Sequence, residues 1–145
     1  MEQNRCVVEG RNIMIMSCSG AANVGQLANK VAVELTQEGF GKLFCLAGIG
    51  GHLSGFVRSA REVPVKVVID GCPVGCARAI LEHLEIPLGI YLVLTDLGIE
   101  KRIGDFNLQG DDVQKVKKAI KERCKGDQPR GITGNVDSDT GPCCC

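Results

Sequence analysis

The sequence predicts an α/β fold: three-layer, with a mainly parallel four-stranded sheet and helices on both faces. Three observations carry this. Short apolar runs alternate with stretches of helical period, the pattern of successive βαβ units. The apolar runs are nearly continuous, as strands covered on both faces must be. The length of 145 residues suits one domain, large enough to bury about two-thirds of its surface and hold together without covalent staples.

The elements follow in order. Ile13-Met14-Ile15-Met16 reads as a buried first strand. Val24, Leu27, Ala28, Val31, Ala32 and Leu35 then recur at helix spacing, and Gly39 and Gly41 bracket the end of that helix. Leu43-Phe44-Cys45-Leu46 reads as a second strand, and Leu53, Phe56, Val57 and Ala60 mark a second helix. Val65 to Ile69 is a third strand, followed by a helix carrying Ala77, Ile80, Leu81 and Leu84. Gly89 to Leu94 is a fourth strand. Asp111 and Asp112 can cap a last helix with the apolar stripe Val113, Val116, Ala119 and Ile120. Lys115, Lys117, Lys118 and Lys121 then form its solvated basic face. After Lys125 the composition turns to Gly, Asp, Pro, Ser and Thr. The expected organisation is therefore a single α/β metal-binding domain over 1–125 and a flexible, cysteine-terminated tail over 126–145.

Composition removes several function classes. The formal net charge is +0, with no asymmetry pointing to nucleic acid or an anionic membrane. Aromatic residues make up 3% and Trp is absent, so base-stacking platforms are not expected. No secretion signal or membrane span is visible, which makes the cytoplasm the expected compartment. In a reducing compartment the nine cysteines point to metal or redox chemistry, not to a disulfide scaffold. No dinucleotide fingerprint, phosphate-binding P-loop or hydrolase nucleophile elbow occurs.

The cysteine positions are specific. Cys18, Cys45 and Cys72 recur at equal spacing, close to the length of one βαβ unit of about 30 residues. Each falls at the end of a strand. In a parallel sheet these ends share the carboxyl edge, where open α/β folds bind ligands. Cys72 is expected at the N-cap of the third helix with Pro73 at its first position. Cys76 then lies one turn on, so that both thiols point at one centre. Free N–H groups and the dipole at a helix start favour negatively charged sulfur. Glycines 20, 48, 50, 51 and 71 offer further backbone donors. Soft thiolate sets favour zinc, copper(I) or iron–sulfur chemistry, and a closed set of four suits tetrahedral zinc. Cys18, Cys45, Cys72 and Cys76 are the expected metal ligands.

The same stretches carry a family resemblance. Ser17-Cys18-Ser19-Gly20, Cys45-Leu46-Ala47-Gly48-Ile49-Gly50 and Ile69-Asp70-Gly71-Cys72-Pro73-Val74-Gly75-Cys76-Ala77 resemble the DGC domain family, named for its Asp-Gly-Cys signature. The resemblance spans most of residues 10–125, in order and spacing. It implies a zinc site on the same four cysteines and no settled biochemical role. Cys143-Cys144-Cys145 lies outside that motif.

Two other functions are weighed beside metal binding. Cys72 and Arg78 fit a Cys-x5-Arg loop, in which backbone amides cradle an oxyanion for a nucleophilic cysteine, as in thiol phosphatases and some arsenate reductases. Pro73 removes one amide from such a cradle, and Asp70 sets a carboxylate beside it. A four-cysteine set can also hold an iron–sulfur cluster or do thiol redox work. His52 is placed at the start of the second helix, as a cap or a solvated side chain, or as a fifth metal contact or a base; His83 is read as a surface residue. Asp70 is expected either as a turn residue or as a hydrogen-bond partner of the ligand loops, and Asn23 as a helix cap. Cys6 and Cys124 are read as ordinary thiols, and Cys143 to Cys145 as a spare terminus or a soft-metal donor. No protein partner is named by the sequence.

Overall fold

A computed structural model of the chain describes residues 12–126. Cys6 and the tail cysteines Cys143, Cys144 and Cys145 lie outside the described residues.

The elements are β1 (Ile13–Ser17), α1 (Asn23–Gln37), β2 (Lys42–Leu43), α2 (Leu46–Gly50), α3 (Ser54–Glu62), β3 (Val65–Asp70), α4 (Cys76–His83), β4 (Ile90–Val93) and α5 (Gly110–Gly126), with a 3-10 turn at Leu94–Leu97. All strand pairs are parallel, in the order β2-β1-β3-β4. β1 and β3 form the centre, with Ile15 opposite Val67 and Ser17 opposite Ile69. This is the expected α/β architecture, with α1 and α5 packed together and α2, α3 and α4 forming the other helical layer.

Both central strands are buried along almost their whole length, which explains their unbroken apolar runs. Ile15, Met16, Val67, Val68 and Ile69 expose none of their surface. Each such side chain contributes roughly 1.5–3 kcal/mol through burial. The chain leaves β1 towards β2 on one side and returns past it to β3 on the other. The order thus reverses between β1 and β3, the switch point where parallel sheets open a crevice beyond their strand ends.

Several local expectations are corrected. The second strand pairs only at Lys42 and Leu43; Cys45 is the N-cap of α2 and Leu46 its first residue. A short helix therefore replaces the expected strand end. α4 starts at Cys76, not near Cys72, and its N-cap is Gly75 in the left-handed region at φ 67°. Pro73 consequently precedes the helix and does not open it. α5 runs through Gly126, with Asp111 and Asp112 inside its first turn. Lys117 does not lie on the solvated face; it is 6% exposed and its ammonium pairs with Glu34 of α1, at 3.0 Å, and with Glu38, the C-cap of α1.

Candidate metal centre

The site is built on the Asp70-Gly71-Cys72 triplet at the end of β3, and each residue has a separate physical task. Asp70 is 1% exposed. Its carboxylate accepts the backbone N–H of Ala77 at 2.9 Å, that of Arg78 at 3.0 Å and the Tyr91 hydroxyl at 2.9 Å. Ala77 and Arg78 are the second and third residues of α4, whose N-cap Gly75 has no side chain to cap it. Asp70 therefore caps the helix from the neighbouring strand, satisfying two N–H groups that every helix start leaves open. Burial, then the hydrogen bond to Asp70 and its charge, push the Tyr91 hydroxyl pKa well above its usual range, so Tyr91 stays a neutral donor.

Gly71 makes a close approach possible. A Cβ there would meet the Val24 carbonyl carbon at 2.7 Å and the Gly25 nitrogen at 2.9 Å. These are backbone atoms of the first turn of α1 and cannot step aside. The absence of a side chain lets α1 start directly against the loop. The Gly71 N–H donates to Cys18 Sγ at 3.1 Å, and the Cys18 N–H donates to the Ile69 carbonyl at 2.9 Å. The two central strand ends are thus tied together at the switch point.

Beyond them lies a hollow of about 200 Å³ whose lining includes Cys18, Cys72, Cys76, Asp70, Lys101 and Ile103. Cys18 is buried, Cys72 half-buried and Cys76 exposed, so one thiol forms the floor and two the wall and mouth. The Lys101 ammonium donates to Cys72 Sγ at 3.4 Å. Burial pushes the Cys18 thiol up to about 11; the negative charges of Asp70 and Cys76 add to this, against the Gly71 hydrogen bond.

The wall carrying Lys101 is held by Asn23. This residue is 3% exposed and is the first residue of α1, not its cap; the N-cap is Ala22. Asn23 Nδ2 donates to the Glu100 carbonyl at 2.8 Å, Arg102 N–H donates to Asn23 Oδ1 at 2.6 Å, and Asn23 N–H donates to the Arg102 carbonyl at 3.0 Å. Gly104 N–H adds a bond to the Ala21 carbonyl at 2.7 Å. The segment 100–104 is thereby strapped across the start of α1.

The expected ligands are placed unequally. Cys18, Cys72 and Cys76 line one hollow, whereas Cys45 does not, although it too follows a strand at the carboxyl edge. Among the described residues no three His, Cys, Asp or Glu side chains stand gathered as a set that could hold a metal ion. In kind, the donors of the hollow fit a soft cation: three thiols, a backbone N–H on one sulfur and an ammonium on another. Arg78 is not part of the lining. It lies over the Tyr91 ring, 5.8 Å from its centroid, with Nε 3.8 Å from Glu82. His52 and His83 lie elsewhere, with ring centroids 5.6 Å apart. That pairing is set by tertiary packing and has no signal in the sequence.

The model of the DGC domain matches residues 14–120. A protein described as anaerobic and virulence modulator AnvM, from Pseudomonas aeruginosa, is 33% identical over 103 residues, covering 71% of this chain and 78% of the relative. No solved structure matches the chain significantly. The match to the family model runs from the second residue of β1 to within the last helix and contains the whole triplet-centred site. The chain belongs to the DGC domain family.

Proposed function

We propose that the chain binds a soft divalent metal ion, zinc first among them, on Cys18, Cys72 and Cys76, and holds it for exchange. The observation that supports this is that those three thiols all line one hollow at the switch point between β1 and β3. A metal supplies a centre to which thiolates bind strongly, and soft sulfur donors select it over magnesium or calcium. The chain's own residues do the rest. Asp70 fixes the start of α4 and so the base of Cys76. Gly71 positions the Cys18 sulfur. Lys101 sets a positive charge beside a site in which three thiolates around a divalent ion carry net negative charge. Cys72 and Cys76, both partly exposed, can change rotamer to close on an ion, and Cys45 is the candidate fourth donor on the same sheet edge.

An exchanging role fits better than a structural one. The sheet is already covered on both faces by a large apolar core, so the fold needs no metal pin. The site also opens to solvent through Cys76. The relative's description as a modulator supports a regulatory use of the bound ion in this chain. The oxyanion-enzyme reading loses ground because the Ala77 and Arg78 amides, which a phosphate cradle would use, already donate to Asp70, and the Arg78 side chain lies on Tyr91.

Elemental analysis of untagged protein, wild type beside Cys72→Ser, tests the reading. About one zinc per chain, lost in the variant, is expected. Iron with sulfide would move the function to electron transfer or redox sensing. A reduced, folded protein that takes up no metal would overturn the proposal.

A further inference from the structure

A second hollow, of about 370 Å³, lies between α3 and the end of α4 and shares no lining residue with the cysteine hollow. Arg58 and Arg61 line it together with His52 and Ser54. Val57 and Leu84, both half-buried, give it an apolar part. Glu62 is its one acidic residue. Two guanidiniums against one carboxylate leave the hollow with surplus positive charge, which selects an anion and not a metal ion.

The sequence of α3 explains the arrangement. Ser54, Arg58 and Arg61 follow one another at steps of four and three residues, which sets them along one side of a helix. Ala60 is buried and Phe56 packs against Phe44, with ring centroids 5.3 Å apart, so the other side faces the core. Arginines on a surface helix ordinarily find a carboxylate. Here Arg61 Nη2 donates to the Leu84 carbonyl at 3.0 Å, which ties it to the end of α4 and leaves further N–H groups of its fork to donate. Arg58 makes no ion pair among the described residues, although Glu62 stands one turn on. Glu82, the last acid of α4, is held by Arg78 at 3.8 Å.

The backbone adds to this charge. Ser54 opens α3, whose N-cap Leu53 makes no side-chain cap and whose first turn holds no acidic residue. The N–H groups and positive dipole end of that turn are therefore not neutralised from within the helix. His52, two residues earlier, keeps a side chain at φ 59°, in the left-handed region that favours glycine. We propose that this hollow binds the phosphate group of a small phosphate ester. The phosphate lies on Arg58 and Arg61, whose planar forks match two of its oxygens each. The organic part of the ester lies against Val57 and Leu84.

The test is a titration of the untagged full chain with phenyl phosphate, followed by calorimetry and by amide resonances. Inorganic phosphate and phenylacetate serve as comparison ligands, and circular dichroism checks the fold of each variant. Phenyl phosphate should shift the amides of Ser54, Arg58 and Arg61. Its affinity should fall at least about tenfold in Arg58→Gln and again in Arg61→Gln, the loss of one charge-assisted hydrogen bond or more. Arg58→Lys, which keeps the charge and loses the fork, should fall between wild type and Arg58→Gln. Added sodium chloride should weaken binding. Inorganic phosphate should bind the same residues more weakly, and phenylacetate more weakly than phenyl phosphate. Absence of binding, an affinity indifferent to both glutamine variants, or shifts at Gly71 and Cys72 instead would overturn the proposal. Inorganic phosphate binding as tightly as phenyl phosphate would overturn the assignment to an ester. Capture by vesicles of phosphatidylcholine and phosphatidic acid, with no response to phenyl phosphate, would place the phosphate on a lipid surface and overturn the small-molecule assignment.

Discussion

Tyr91 and Asp70, on adjacent parallel strands, meet at 2.9 Å where the phenol donates to Asp70 Oδ2. That contact joins β4 to the cap of α4, and so to the position of Cys76. Replacing Asp70 by Asn would turn one acceptor oxygen into a donor facing a backbone N–H. Leaving a buried donor without its acceptor costs about 1–3 kcal/mol. We expect Asp70→Asn to lower the unfolding free energy in urea by about 2–3 kcal/mol, and Tyr91→Phe by about 1 kcal/mol. Equal, negligible effects would show that Asp70 does not hold the helix start.

Asn23 makes three hydrogen bonds to the segment that carries Lys101. Asn23→Ala removes the two that use its side chain and leaves the Arg102 amide without its acceptor. The expected loss is about 2 kcal/mol, concentrated in the strap. Hydrogen exchange should speed up at the amides of Arg102 and Gly104 well before those of β1 and β3. Protection unchanged at 102 and 104 would mean that other contacts hold the wall.

The stability profile should fall at both ends of the pH range. Burial would raise the Glu38 pKa, but hydrogen bonds from Lys117 and Lys121 and their charges overcome this and hold it below 4.5. A depressed carboxyl pKa means that the unfolded chain takes up the proton first, so stability is lost as pH falls below about 4.5. Cys18 has the opposite sense. Its thiol pKa, pushed from 9.0 to about 11 mainly by burial, means the unfolded chain loses its proton first, and stability declines from pH 9.0 upward. Glu38→Gln should flatten the acid limb and Cys18→Ala the alkaline limb, each read from melting temperatures across pH.

These effects also mark what the sequence could convey. Strand positions were legible because β1 and β3 are buried on both faces and must be apolar throughout. The equal spacing of Cys18, Cys45 and Cys72 was legible as three strand ends on one edge. The α4 start was not, because its cap, Asp70, acts across the loop from another element, while the local candidate Cys72 competes for the role. A glycine immediately before Cys76 was the available signal. Lys117 reads as part of a basic surface stripe until Glu34 of α1 and Glu38 at its C-cap are known to face it. The same is true of Asn23, whose partners lie nearly eighty residues away.

The unequal placement of the cysteines yields the last prediction. Cys72 and Cys76 share the hollow with buried Cys18, whereas Cys45 stands at the N-cap position of α2 outside it. If three thiols form the initial site, then Cys72→Ser should reduce zinc affinity far more than Cys45→Ser. Loss of a direct ligand removes one metal–sulfur bond, whereas loss of a donor that must first be carried inward removes only the final step of closure. We expect at least a hundredfold weakening for Cys72→Ser and about tenfold for Cys45→Ser, measured by competition with a chromophoric chelator. Binding to Cys18 must also expel its proton, because that thiol keeps it up to about 11. The calorimetric enthalpy of zinc binding near neutral pH should therefore vary with the ionisation enthalpy of the buffer, and the dependence should shrink in Cys18→Ser. Equal losses for Cys45 and Cys72 would instead mean that α2 unwinds to bring all four sulfurs together before the ion is held.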